Sequence, residues 1–218
     1  MVFFYLGGMQ IISTNLGKPT EVSWNDTLIT TGIYKSPVNT PLLLEAESVS
    51  GDTIGDRKVH GGIYKACYLF SAEQYPYWKE KYPHLDWNWG MFGENLTVKG
   101  LDESQIRVGS IYRLGTALVQ ITQPREPCFK LGLKFGTQKI LKQFIDHGWP
   151  GTYVRILEVG KVNSGDTMEL VEESSNPLTT QQFYRLLYAK EKNQAILKLA
   201  ISNDSLPLHK RERLKKFL

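Results

Sequence analysis

Two cysteines and four histidines among 218 residues are too few for several common kinds of site. Cys67 and Cys128 stand 61 positions apart with no C-x-x-C spacing, and no two histidines have H-x-x-x-H spacing, so no zinc site can be written from the chain. Nor do two cysteines make a disulfide framework in a chain this long. Cys67 lies inside the strand-like "KACYLF", so a reducing, cytoplasmic setting is expected. The G-x-S-x-G elbow of esterases, the Walker loop and the dinucleotide fingerprint are all absent. No apolar run reaches the roughly 18 residues of a membrane span, so no membrane partner is expected. The opening "MVFFYLGG" lacks a basic flank and a small-residue cleavage pattern. Residues 1–8 are read as a leader of unclear role, with the fold proper starting at Met9.

Surplus charge is also scarce over most of the chain. The net charge is +4, yet Lys210, Arg211, Arg213, Lys215 and Lys216 against Glu212 supply that much in the tail alone. A near-neutral body gives no reason to expect a nucleic-acid partner.

What is present is a chain with 41% apolar and 22% charged residues, long enough to bury a sizeable core. From residue 9 to about 172, short strand-like runs alternate with Gly, Pro, Asn and Asp: "MQIIST", "LITTGIY", "LLLEAE", "YKACYLF", "ENLTV", "IYRLG", "ALVQIT", "YVRILEV" and "TMELVE". Such spacing predicts a mainly β fold, a sandwich or barrel. Two helices interrupt it. "SAEQYPYWKEKY" has capping-box spacing from Ser71 to Gln74, and "TQKILKQFIDHG" puts Ile140, Leu141, Phe144 and Ile145 on one face between Thr137 and Gly148. The second should lie over a barrel end or edge. After "ESSNPL" three short helical segments follow, "TTQQFYRLLYA", "NQAILKLAI" and "LPLHKRERLKKFL". The expected organisation is a β-barrel over 9–175 with a few flanking helices, and a small three-helix subdomain over 176–218.

Chemistry concentrates in two stretches. In "ITQPREPCFKLG" the alternating strand ends at a stiff proline-framed segment, which sets Cys128 between Arg125 and Lys130. Cations at that spacing favour a thiolate, the form that attacks electrophiles and binds soft metals, whereas a core-filling thiol needs no such neighbours. Cys67, within an apolar run, is assigned to the core. In "GDRKVHGGIYKA" the residues Arg57, Lys58 and His60 precede Gly61-Gly62, where the backbone can take positive φ and hold an anion on its N–H groups; a plain turn between strands is at least as good an account of those residues alone. "FGEN" offers Asn95 either as an amide for a polar ligand or as a plain turn residue, with Glu94 read as bonding its own turn, and Lys35 either reaches a phosphate or is one more exposed lysine.

Together, "DRKVHGGIYKACYLFS", "FGENLTVKGL", "VGSIYRLGTALVQITQPREPCFKL" and the helical tail resemble the MOSC domain proteins, the group named for the C-terminal domain of molybdenum cofactor sulfurase, and within it the YiiM-like branch. The resemblance runs from about Met9 to Leu218. It implies a MOSC-type β-barrel with a pocket for the molybdenum cofactor, a pterin dithiolene that carries the metal and a phosphate. Cys128 matches the family's molybdenum ligand. Arg57, His60, Gly61 and Gly62 match its signature beside the pocket, although Lys58 and Val59 intervene in this chain, and Arg125 matches the arginine before the cysteine. With Lys35, Asn95 and Lys130 these form the candidate cofactor-binding set. The implied activity is reduction of N-hydroxylated compounds such as 6-N-hydroxylaminopurine. The chain shows no flavin, haem or iron–sulfur motif, so electrons would come from a separate flavoprotein-type donor. The competing reading is a carrier that holds a persulfide or the cofactor on Cys128. A homodimer is left open.

Overall fold

The computed structural model describes residues 8–55 and 61–218. Its strands are β1 (Met9–Gly17), β2 (Thr20–Trp24), β3 (Thr27–Thr31), β4 (Lys35–Val38), β5 (Leu42–Glu45), β6 (Ser48–Val49), β7 (Cys67–Ser71), β8 (Leu96–Lys99), β9 (Ile111–Leu114), β10 (Ala117–Pro124), β11 (Thr152–Glu158), β12 (Gly160–Val162) and β13 (Thr167–Glu172). The α-helices are α1 (Tyr75–Lys81), α2 (Phe129–Phe135), α3 (Lys139–His147), α4 (Thr180–Tyr188), α5 (Gln194–Ser202) and α6 (Leu208–Lys215).

Seven strands pair in the order β13-β9-β10-β11-β7-β8-β1, and β1 closes on β13 through Met9 opposite Met168. The expected barrel is therefore present, closed so that no edge is left among those seven strands. All ladders in it are antiparallel except β7 with β8, which run parallel. A register shift between Ile11 and Ser13 bends β1, which pairs with β8 from Gln10 to Thr14 and with β4 from Thr14 to Gly17.

Side-chain alternation sorts the packing. On β7, Cys67 and Leu69 enter the barrel core, whereas Tyr68 and Phe70 face a second, aromatic core outside it. On β10, Ala117, Val119 and Ile121 point inward, the alternation read from "ALVQIT". The aromatic core joins Phe70 and Phe92 to Trp78 of α1, Phe135 of α2 and Phe144 of α3. This is what places α3 against the barrel wall: Ile140 and Phe144 are buried, Leu141 and Ile145 partly so, and the helix ends in a left-handed Gly148 as read from the sequence.

Two helix starts differ from expectation: α3 is entered through Gln138, with no side-chain cap, rather than through Thr137, and α1 starts late. Ser71 caps nothing with its side chain; its Oγ donates to Glu73 at 2.8 Å, a 3-10 turn covers Ala72–Gln74, and α1 begins only at Tyr75, with Pro76 in its first turn. The reciprocal capping box occurs instead at α4, between Thr179 and Gln182. The three C-terminal helices follow the sequence reading and bury Leu178, Phe183, Leu197, Leu206 and Leu214 around Val108 of the barrel. Strand-like "LITTGIY" stops at Thr31, because β2 and β3 form a separate hairpin that turns through Asn25 and Asp26 at φ 47° and 59°.

Candidate functional site

Strand β10 delivers the site. It ends at Pro124, and Arg125-Glu126-Pro127 lead to Cys128, which is extended and stands directly before α2. No helix was read from the sequence after Cys128. Here α2 forms because Leu131 and Phe135 drop into the aromatic core while a left-handed Gly136 ends the turn. Cys128 is consequently anchored by a strand on one side and a packed helix on the other, and it is partly buried and free of any disulfide.

The thiol lines a cleft of about 620 Å³, measured out to its open mouth. The walls bring Lys35, Asn95, Arg125 and Lys130 together with Cys128, five residues the sequence reading named, and add Lys65, Asp52 and Tyr153, which it did not single out. Four cationic side chains thus line the cleft against one carboxylate, and that carboxylate is already matched: Asp52 forms a buried ion pair with Lys35. Asp52 also accepts from Asn95 Nδ2 at 2.8 Å and from the Gly17 N–H at 2.8 Å. Burial holds the Lys35 ammonium below its usual range, and Asp52 opposes that shift. The Asn95 amide is spent on the wall as well, since its Oδ1 accepts the Tyr68 N–H at 3.2 Å. Lys35 and Asn95 therefore hold the cleft in shape with the same groups that face it.

Arg125 is buried beneath the thiol, donating to the Phe92 carbonyl with its guanidinium 5.1 Å from the Tyr68 ring centroid. One hydrogen bond leaves most of a five-donor fork to the cleft. Burial keeps the Tyr68 and Tyr153 hydroxyls protonated, shifting both phenols up. Lys65 is shifted down, first by burial and then by Lys210. Behind the wall, burial lowers Lys134 to about 8 while its Nζ donates to the Gly90 and Ile33 carbonyls, at 2.7 and 3.2 Å, fastening α2 to the "MFGEN" turn. Gly93 makes that turn possible: at φ 76° a Cβ would sit 3.1 Å from Ile33 Cγ1. Glu94 bonds its own turn, accepting from the N–H groups of Gly90 and Phe92 at 2.9 and 3.0 Å.

Arg57 and His60 lie outside the described residues. Gly61 and Gly62 are described and do not line the cleft; Gly62, at φ 89°, opens the 3-10 turn Ile63–Lys65 that carries Lys65 and Ala66 to it. Cys67 is fully buried in the barrel core, as read. Lys65 stands inside the quoted "GGIYKA" run and could have been noticed there. Asp52 and Tyr153 carried no local signal.

Comparison with known proteins gives the chain a family. The family model described as "MOSC domain" matches residues 56–169, which include the strand, the cysteine and most of the cleft. The chain belongs to the MOSC domain family. It is 37% identical to the uncharacterized protein YflK of Bacillus subtilis over 196 residues, 90% of this chain and 88% of that protein. It is 34% identical to protein YiiM of Escherichia coli over 172 residues, 72% and 77% of the two chains. A protein of Gibberella moniliformis named "Reductase" is 33% identical over 165 residues, 74% of this chain but 29% of that much longer one. Among solved structures, YiiM from Geobacillus stearothermophilus superposes with a TM-score of 0.80 at 34% identity, covering 96% of this chain and 99% of that one. This is a YiiM-like MOSC protein, helical subdomain included.

Proposed function

We propose that the cleft binds the molybdenum cofactor, with Cys128 as the protein ligand to the metal, and that the protein reduces N-hydroxylated compounds such as 6-N-hydroxylaminopurine. The observation that carries this reading is the cleft's composition: one accessible thiol within a ring of cations whose single carboxylate is internally neutralised. Among the described residues no three His, Cys, Asp or Glu side chains converge to hold a metal ion. A metal at Cys128 would therefore bring most of its ligands with it, as a dithiolene-borne metal does, and a soft thiolate suits it. The cationic lining suits the phosphate and anionic core of such a group. MOSC membership and the relative named "Reductase" favour a redox role over a purely structural one.

The bound group would supply the two-electron chemistry of R–NHOH + 2e⁻ + 2H⁺ → R–NH₂ + H₂O. The chain would do the rest. Cys128, held between β10 and α2, fixes the metal end; Arg125 and Lys130 hold positive potential beside it; the Lys35–Asp52–Asn95 network keeps the wall from collapsing onto the thiol. Electrons would come from a separate flavoprotein donor.

The test is molybdenum and pterin content per protein, for the wild type and Cys128→Ala purified from a host that makes the cofactor, followed by reduction of 6-N-hydroxylaminopurine with a chemical electron donor. Near-stoichiometric metal in the wild type, lost in the variant, together with turnover supports the reading. A wild type that carries neither metal nor pterin but yields a transferable persulfide on Cys128 replaces it with the carrier.

A further inference from the structure

A second cavity, about 590 Å³, lies beside the cysteine cleft, between α6, the α4–α5 connection and Glu126. Its cations are arranged about a ring. Lys192 Nζ is fixed by three carbonyls at the end of α4, those of Leu186, Leu187 and Ala189 at 2.8, 3.1 and 2.8 Å. It stands 5.1 Å from the centroid of Phe217, and Lys216 stands 5.0 Å from the same ring. Arg213 lines the groove, and Lys210 closes it against the cysteine cleft by pairing with Glu126, two residues before Cys128. Glu126 lines this groove and Cys128, two residues on, lines the cysteine cleft, so the Glu126–Pro127 segment forms a ridge between the two cavities. Phe217 is 41% exposed. A partly exposed ring rimmed by the tethered Lys192 and the exposed Arg213 and Lys216 has the anatomy of a small transient interface, an apolar spot within a charged rim.

We propose that this groove docks the electron donor, a small acidic FMN protein of the flavodoxin type whose surface carboxylates meet the exposed Arg213 and Lys216. The proposal rests on the reductase reading above. In each turnover two donor molecules pass from flavin hydroquinone to semiquinone, giving one electron each; with two protons from solvent these break the N–O bond and release water. Docking across the Glu126 ridge brings the flavin to the side of the molecule where Cys128 opens, and opposite charge raises the encounter rate.

The test reverses two exposed charges that touch neither the cleft nor the Glu126 pair: Arg213→Glu with Lys216→Glu. Cofactor-loaded wild type and variant are driven by reduced flavodoxin or by reduced methyl viologen, at low and at 0.3 M salt. Expected is a loss on the order of tenfold in flavodoxin-driven kcat/KM, a similar fall for the wild type in high salt, and viologen-driven rates within about twofold. Equal flavodoxin-driven rates in both proteins overturn the proposal. If viologen drives no turnover even in the wild type, the reductase reading fails, and calorimetric titration of unloaded protein with flavodoxin decides the docking by itself. Binding that the reversal abolishes keeps the surface. A groove that takes inorganic phosphate but not flavodoxin is an anion site, and the docking proposal is then wrong.

Discussion

The two cysteines of this chain are the same residue in opposite surroundings. Cys67 faces the barrel core with no exposed surface, and burial drives its thiol far above the usual range, so it remains a protonated, inert core group. Cys128 follows β10, two strands from β7 in the sheet order with β11 between them, at a strand end that opens into a cation-lined cleft. The difference is one of address: reactivity follows from whether the chain turns the side chain inward on a strand or lets it off at the rim.

The largest effect expected from separating the two is on activity. Cys128→Ala should remove reductase turnover by three orders of magnitude or more and abolish metal retention, with a melting temperature within about 2 °C of wild type, since the thiol supports no core. Cys67→Ser should do the reverse. A hydroxyl in that apolar core costs about 1–3 kcal/mol, read as a shifted denaturation midpoint, while turnover at a permissive temperature persists. Iodoacetamide should label native protein at Cys128 alone, reaching Cys67 only on unfolding. Labelling of Cys67 at a similar rate would dissolve the contrast.

Next in size is the cleft's own ion pair. Asp52→Ala leaves a buried Lys35 cation without its partner and frees the Asn95 amide and the Gly17 N–H, so a loss of about 3 kcal/mol is expected from urea unfolding. Asp52→Asn, which keeps the volume and one acceptor, should lose less. If both variants are as stable as wild type, the wall does not depend on this network.

How much of this was legible in the sequence follows from the range of each interaction. The β10 alternation, the end of α3 at Gly148 and the Arg125–Cys128–Lys130 cluster are local patterns, so they could be read directly. Asp52 meets Lys35 and Asn95 only because β1, β4 and β8 pair, and nothing near "SGDT" announces it. Helix α2 was invisible for a related reason: its seven residues include Gly132 and gain their order from Leu131 and Phe135 entering an aromatic core built by distant segments. At Ser71 a local pattern misled, because Glu73 competed for the hydroxyl that Gln74 was expected to share.

A pH dependence should arise away from the cleft. Glu103 is fully buried, one oxygen accepting the Gly151 N–H at 2.8 Å and the other without a hydrogen-bond partner among the described residues, and burial raises its carboxyl to about 7. With an unfolded value near 4.3, the native state binds the extra proton between the two values, so stability should fall as pH rises from about 4.5 to 7 and then level off. The full span is about 3.5 kcal/mol. Glu103→Gln should flatten that segment of the stability curve. A wild-type curve already flat there would mean that the carboxyl stays ionised and finds a partner.

The smallest effect concerns the hairpin that leans on the site. Trp24, at the end of β2, stacks on Phe129 with centroids 4.9 Å apart and planes 23° from parallel, and Phe129 is the residue after Cys128. Because β2 and β3 pair with each other and with no barrel strand, this ring pair is a main tie between the hairpin tip and the cysteine segment. Such a stack contributes about 0.5–1.5 kcal/mol beyond the area it covers, too little to unfold the barrel when lost. Trp24→Ala should therefore leave the unfolding midpoint nearly in place while alkylation of Cys128 quickens a few-fold, since the segment before α2 is less firmly held. Trp24→Phe, which keeps a ring, should restore most of the protection. An alkylation rate identical in all three proteins would show that the rim of the cysteine cleft is set by β10 and α2 alone.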